Sequence, residues 1–218
     1  MADFLNTAFA GFDTALLAAL HGLAQACGGL LTPLMKCITL IGEKGLLFLL
    51  AAVVLMLFPR TRRTGVALFG AIACCFLVNN LILKELVERL RPFEADSLFR
   101  SFWEFVGSPA EEGFSFPSGH ASAAAAGCLV LIAERGRRWL PFGILYVGLM
   151  CLSRTYLMAH YPSDVLFGVL VGCLSALAAV WIARRLFDLL RHRRELPLCR
   201  FLLYFAPLKA LKKLTKTG

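Results

Sequence analysis

The chain has 218 residues, of which 59% are hydrophobic and 17% charged, with a mean hydropathy of +0.72. This composition is too apolar for a soluble domain of this size, and it indicates an integral membrane protein with a single domain, residues 1–218. The formal net charge is +9, and residues 184–218 alone carry +8. A basic tail beside a membrane span marks the cytoplasmic face and contacts anionic lipid, so we expect no nucleic-acid partner.

The cysteines do not indicate a disulfide framework or a metal site. Most of the eight lie within apolar runs, where they act as small hydrophobic residues in helix packing. Neither a Cys-x2-Cys nor a His-Glu-x2-His spacing occurs. A zinc site therefore has no support in the sequence.

The predicted elements are all helical. A short helix at residues 13–26, with Asp13 as its N-cap, is expected to lie on the membrane surface. Five apolar runs follow that are each long enough to cross a bilayer: residues 38–58, 65–83, 118–134, 139–158 and 164–183. The fold class is thus all-α, a polytopic transmembrane helix bundle over residues 38–183 with about five spans plus an N-terminal interfacial helix. The second span is predicted to continue as a helix to Arg91, where Pro92 ends it.

The distribution of charge predicts how this bundle is oriented. Basic residues cluster at 60–63, 135–138 and 184–218, whereas residues 93–116 are predicted to form a long acidic loop, and a loop of that length is usually functional. Under the positive-inside rule the basic segments face the cytoplasm. Residues 184–218 then form a basic cytoplasmic tail, expected to lie against the inner leaflet as an amphipathic segment. Three polar stretches at the opposite ends of the spans then emerge together on the outer face.

The first polar stretch contains Lys84 and Arg91. These residues are seven apart, two turns of the predicted helix, so both point from one face. Two cations on one face suit a tetrahedral anion. Taken singly, each is more simply explained as an interface residue whose aliphatic stem lies in the bilayer.

The second polar stretch is Pro117-Ser118-Gly119-His120, at the start of the third span. Backbone N–H groups at a helix N-terminus attract anions. Ser118 adds a hydroxyl donor, Gly119 allows close backbone approach, and His120 is placed to protonate a leaving oxygen as general acid. In the alternative interpretation Ser118 is only the N-cap of this span.

The third polar stretch runs from Ser153 to Asp164, with the spacing Arg-x5-His-x3-Asp. Arg154 can hold phosphate oxygens, and His160 can attack phosphorus as the neutral imidazole. Asp164 is predicted to accept a hydrogen bond from the other ring nitrogen, which would fix the tautomer and stabilise the developing positive charge. A lone His–Asp pair is usually structural, but two histidines, several cations and an aspartate on one membrane face favour a phosphate site.

Together these stretches resemble a known signature. Lys84-x6-Arg91-Pro92, Pro117-Ser118-Gly119-His120 and Ser153-Arg154-x5-His160-x3-Asp164 match the three-part motif of the type 2 phosphatidic acid phosphatase (PAP2) superfamily. The chain is similar to its short bacterial members, which include undecaprenyl-diphosphate and phosphatidylglycerophosphate phosphatases. The resemblance spans about residues 80–168.

This resemblance implies a metal-independent phosphatase that needs no cofactor. His160 would be transiently phosphorylated, and His120 would protonate the leaving group and later activate water. The phosphoryl oxygens would be bound by Lys84, Arg91, Ser118, Gly119 and Arg154. The expected partners are the bilayer and a lipid phosphate, with undecaprenyl diphosphate preferred, and the expected location is a bacterial cytoplasmic membrane with the active site on the extracytoplasmic face.

Other functions fit part of the pattern. Phosphatidylglycerophosphate or phosphatidic acid are alternative substrates. A non-hydrolytic phosphate or phospholipid transporter would use the same cations, but it gives no reason for two histidines. A vanadate-dependent haloperoxidase shares the signature but is soluble, which five spans argue against. The sequence predicts no oligomeric state.

Overall fold

Residues 1–205, which the computed structural model describes, form twelve α-helices and no strand, so the all-α prediction is confirmed. The helices are α1 (Ala2–Ala8), α2 (Ala10–Ala26), α3 (Thr32–Ile41), α4 (Leu46–Met56), α5 (Arg62–Phe76), α6 (Lys84–Val87), α7 (Pro92–Ala95), α8 (Ser97–Phe105), α9 (Gly119–Arg135), α10 (Leu140–Tyr156), α11 (Pro162–His192) and α12 (Pro197–Tyr204). A π-helical segment, Leu77–Leu83, joins α5 to α6. Residues 206–218 of the predicted tail lie outside the described residues.

Helix α9 occupies the centre of the bundle, with α5, α10 and α11 packed around it. Its first half is buried and contains a run of small residues, 121–127. Helix α11 faces this run with two glycines. A Cβ atom at Gly168 would lie 2.6 Å from the carbonyl oxygen of Ser118, and one at Gly172 would lie 2.3 Å from that of Ser122. The two backbones therefore approach as closely as helices in membranes do when small residues meet.

The surfaces of the outer helices identify a membrane protein. Leu50, Val53 and Val54 on α4 are exposed, as are Leu174 and Trp181 on α11. Within residues 1–205, three helical segments are long and apolar enough to cross a bilayer: Thr32–Met56, Arg62–Ala95 and Pro162–His192. The pair α1 and α2, bent by 69°, would make a fourth. Helices α9 and α10 have 17 residues each, or about 26 Å of helix, slightly less than the hydrocarbon thickness. The predicted count of five is therefore approximate.

Two predicted helix ends differ from the structure. Helix α2 begins at Ala10, so Asp13 lies inside it rather than capping it, and its carboxylate is buried. The helix through Lys84 ends at Val87, because Glu88 adopts a left-handed conformation with φ 52°. Arg91 instead has the extended backbone typical of a residue before proline. Lys84 and Arg91 therefore do not share a helix face.

The segment predicted as a long loop at 93–116 is helical in its first half. Asp96 accepts a hydrogen bond from the backbone N–H of Leu98 at 2.8 Å and so caps α8. Phe99 and Phe102 on α8 are buried in an apolar cluster with Leu17, Met158 and Tyr161. Composition alone marked this segment as a loop, whereas the N-cap and these two phenylalanines make it an amphipathic helix.

A buried carboxylate joins three helices at the end of the bundle that carries the basic loops. Glu134 of α9 accepts from Arg63 of α5 at 2.7 Å and from Arg184 of α11 at 2.9 Å. These contacts hold the basic segments together at one end. The three polar stretches lie at the other end.

Replacing Gly172 by alanine is expected to lower the free energy of unfolding by about 1–3 kcal/mol, because the new Cβ would force α9 and α11 apart. The matched control is Gly148→Ala on the exposed face of α10, where a Cβ would meet no atom within 4 Å. Thermal unfolding in detergent, followed by circular dichroism, measures both. Equal unfolding midpoints would show that the bundle does not need this close approach.

Candidate active site

One cavity of about 510 Å³ brings the three polar stretches together. Six of the eight predicted site residues line it: Lys84, Arg91, Gly119, His120, Arg154 and His160. The other two, Ser118 and Asp164, lie behind its wall and are fully buried. The site thus contains cations, imidazoles and a helix N-terminus in one cavity.

Arg154 is the most deeply buried cation of the cavity, with 0% of its surface exposed. Its Nη2 forms an ion pair with Glu111. Its Nε and Nη1 are buried without a hydrogen-bond partner in the part of the chain that the structure describes. A buried donor left unpaired costs about 1–3 kcal/mol, and more when it carries charge. The unpaired donors of Arg154 therefore favour binding of an anion in the cavity.

Arg91 is held in place by the backbone around it. Its Nε donates to the carbonyl oxygen of Gly113 at 2.9 Å, and its two Nη atoms donate to those of Ala159 and Glu112, each at 2.7 Å. Glu111 lies 3.3 Å from Nη1 of Arg91 as well as against Arg154. One carboxylate thus bridges the two arginines of the cavity, in the way that a phosphate would.

His160 has a defined tautomer. Its Nδ1 lies 2.7 Å from the carbonyl oxygen of Ser115, and because a carbonyl only accepts, the proton is on Nδ1 and the lone pair on Nε2. The ring is 2% exposed. Burial, together with the nearby Arg91 and Arg154, lowers the pKa of His160 well below its ordinary value of 6.5. The imidazole is therefore neutral at pH 7, as a nucleophile requires.

The predicted hydrogen bond between Asp164 and His160 is not formed. Its Oδ2 accepts from the hydroxyl of Ser115 at 2.6 Å and from the backbone N–H of Tyr161 at 3.0 Å. Since the backbone of Ser115 stands between the two side chains, the carboxylate holds Ser115 and the Ser115 carbonyl holds the ring. Asp164 thus reaches His160 through one intermediate residue.

The second polar stretch, residues 117–120, forms the N-terminus of α9 as predicted. Ser118 is the N-cap: its Oγ lies 3.5 Å from the N–H of Ala121, and its own N–H donates to the carbonyl oxygen of Asp164 at 3.1 Å. Its hydroxyl therefore serves the cap and does not line the cavity. A Cβ on Gly119 would meet no atom within 4 Å, so the backbone there is open to a ligand. His120 lies in the first turn of α9, at the cavity wall.

Arg89, behind the cavity, was not predicted as a site residue, although its guanidinium bonds to four side chains. Arg89 is 1% exposed. It contacts Asn6, Asp13, Ser163 and Asp164, and its guanidinium carbon lies 3.9 Å from the centre of the Tyr161 ring. Two signals pointed to it: Arg89 stands two positions before Arg91, and Asp13 is a charged residue within an apolar helix.

No group of three or more His, Cys, Asp or Glu side chains within residues 1–205 is arranged to hold a metal ion. Carboxylates near the cavity are instead paired with arginines. The ionisable groups that line the cavity include imidazole, guanidinium, ammonium and carboxylate side chains.

Comparisons with known proteins agree with this geometry. The chain is 29% identical over 118 residues to an undecaprenyl-diphosphatase of Sulfolobus acidocaldarius, covering 54% of each chain. It is 37% identical over 127 residues to a decaprenylphosphoryl-5-phosphoribose phosphatase of Mycobacterium tuberculosis, covering 58% of this chain and 64% of the relative. It is 33% identical over 113 residues to phosphatidylglycerophosphatase B of Escherichia coli, covering 50% of this chain and 41% of the relative.

The chain spans about half the length of the curated relatives that it matches. The sequence profile of the PAP2 superfamily matches residues 64–188, which is more than half of the chain and includes every residue of the three polar stretches. Because the sequence matches over this range and its three motifs meet in one cavity, the chain belongs to the PAP2 superfamily.

Proposed function

We propose that this single-domain membrane protein is a metal-independent lipid phosphatase or diphosphatase that acts through a phosphohistidine intermediate. The observation that carries the proposal is the pairing, in one cavity, of a neutral His160 with the unpaired donors of Arg154. A nucleophile and a prepared anion site together serve phosphoryl transfer, because that reaction depends on positioning and charge stabilisation.

In the proposed complex, Lys84, Arg91 and Arg154 bind the oxygens of the phosphoryl group. The N–H groups of the first turn of α9, at Gly119, add further donors. Guanidinium groups suit this role, because their donors form paired, charge-assisted hydrogen bonds to phosphate. Ser118 contributes by capping α9 rather than by direct contact.

The reaction has two steps. The lone pair of His160 Nε2 attacks phosphorus, the bond between phosphorus and the leaving oxygen breaks, and protonated His120 gives its proton to that oxygen. His120 then takes a proton from water, the water oxygen attacks phosphorus, and the P–N bond breaks to release inorganic phosphate. The Ser115 carbonyl, held by Asp164, stabilises the positive charge that His160 carries in between.

The proposed substrate is undecaprenyl diphosphate, because one relative is named for that activity and others are named for polyprenyl or phospholipid phosphates. Phosphatidylglycerophosphate and phosphatidic acid are the alternatives.

We propose that the protein lies in a bacterial cytoplasmic membrane with the cavity on the extracytoplasmic face, since the basic end that carries Arg63 and Arg184 favours the cytoplasm. A transporter of phosphate or phospholipid is the alternative class. It would bind the same anion but would not hydrolyse the lipid phosphate.

Replacing His160 by alanine is expected to abolish phosphate release, with a loss of at least about a thousandfold, because the nucleophile is removed. The measurement is phosphate release from undecaprenyl diphosphate, phosphatidylglycerophosphate and phosphatidic acid by detergent-purified protein in EDTA. The control is His192→Ala, at the exposed end of α11. Release that survives in the His160 variant would refute the mechanism. Phosphate binding without release by the wild type would favour the transporter.

His160 is expected to stay neutral as the pH falls through 6.5. Burial and the neighbouring cations lower its pKa, so protonation, and with it the loss of the nucleophile, occurs only at lower pH. Nitrogen NMR of histidine-labelled protein between pH 4 and 8 tests this, and His160→Gln assigns the signal. A midpoint at or above 6.5 would contradict the prediction.

Glu111→Gln is expected to strengthen inhibition by inorganic phosphate about tenfold, because phosphate must displace the Glu111 carboxylate from Arg91 and Arg154. Glu112→Gln is the matched control. It makes the same change one residue away, and the Glu112 carboxylate has no ion pair within residues 1–205. Equal inhibition constants for the two variants would show that Glu111 does not occupy the phosphate position.

A further inference from the structure

Asp13, on a helix expected only to lie on the membrane surface, is buried beside the first turn of α11. Its Oδ1 accepts from the backbone N–H of Ser163 at 2.8 Å. Its Oδ2 accepts from the hydroxyl of Ser163 at 2.7 Å and from Nη2 of Arg89 at 2.8 Å. The side chain is 2% exposed. A buried carboxylate is stable only when it is paired, so Asp13 and the groups that bind it hold one another in position.

Arg89 connects Asp13 to the residues behind His160. Its Nη1 donates to Asp164 and, at 2.8 Å, to Ser163. Its Nε donates to the side chain of Asn6 at 2.8 Å. Every donor nitrogen of this guanidinium is therefore engaged, two of them by the N-terminal helices α1 and α2 and one by the first turn of α11.

Arg89 also holds Ser115 from two directions. Its carbonyl oxygen accepts from the backbone N–H of Ser115 at 2.7 Å, and its guanidinium holds the Asp164 carboxylate that accepts from the Ser115 hydroxyl at 2.6 Å. The Ser115 carbonyl is the group that fixes the Nδ1 proton of His160. A continuous chain of hydrogen bonds therefore runs from Asp13 to the ring of His160.

Neither Asp13 nor Arg89 lines the cavity, so neither is placed to touch a substrate. Asp13 also lies outside residues 64–188, the part of the chain that matches the PAP2 superfamily. We propose that Asp13 is a positioning residue of the active site, which sets the orientation and tautomer of His160 through Arg89, Asp164 and Ser115. This inference rests on the proposed phosphatase function. It makes α2 part of the catalytic apparatus.

The variant that tests the proposal is Asp13→Asn, which keeps the size of the side chain and its acceptor oxygen but removes the charge. We expect kcat to fall about 10- to 100-fold, because small displacements of a reacting group are costly. We expect KM and the inhibition constant of inorganic phosphate to stay within about twofold of the wild type, because Lys84, Arg91 and Arg154 are untouched. Arg89→Lys, which keeps the charge but cannot bind four side chains, is expected to do the same.

Asp3→Asn is the matched control, because it makes the same change at an exposed position of α1. If Asp13→Asn behaves like this control in kcat, the proposal is wrong. If kcat, phosphate binding and the thermal unfolding midpoint all deteriorate together, Asp13 is only structural and the proposal is again wrong.

A second measurement does not depend on activity. The nitrogen NMR signal of the protonated His160 Nδ1 is expected to shift or broaden in Asp13→Asn and to stay unchanged in Asp3→Asn. An unchanged signal in both variants overturns the positioning role. If the wild-type protein releases no phosphate, the proposed function fails, and this signal still decides whether Asp13 sets the tautomer of His160.

Discussion

Three arginines buried at one end of an apolar helix bundle set the constraint on which the rest of this structure depends. A guanidinium removed from water needs acceptors for its donors, and each arginine finds them differently. Arg89 is held by two carboxylates and two neutral side chains. Arg91 is held by three backbone carbonyls and Glu111. Arg154, which lines the cavity, pairs with one carboxylate among residues 1–205 and keeps two buried donors without a partner there. The first two arginines therefore have their donors satisfied by the protein, whereas the third keeps donors for the anion that we propose it binds.

Close packing of α9 and α11 brings the N-termini of the two helices together at the site. Because Gly168 allows the backbone of Ser118 to approach, the N-terminus of α9 lies beside that of α11, and the N–H of Ser118 donates to the carbonyl oxygen of Asp164. Two helix N-termini with positive partial charge thus meet where the arginines converge. At the other end, Glu134 joins the basic segments of three helices. The bundle is polar at both ends and apolar between them, as a membrane requires.

The proposed mechanism requires a neutral imidazole as the nucleophile, so the charge of His160 must be controlled. Burial, and with it the cations that we propose bind a phosphate, disfavours a positive charge on His160 and lowers its pKa, so one arrangement would serve both substrate binding and the neutral nucleophile. A transporter would need the same arginines but no imidazole with a fixed Nδ1 proton. The defined tautomer of His160 is therefore the feature that favours hydrolysis over transport.

The sequence by itself determined the helical class, the family and six of the residues that line the cavity, because apolar runs and three short motifs are local properties of the chain. Only the tertiary structure decided that Asp164 reaches His160 through Ser115 and that Asp13 pairs with Arg89. The physical reason is that a buried charge is satisfied by whichever partners the fold brings within about 3 Å. Such partners can stand 150 positions away in sequence, as Asp13 and Ser163 do.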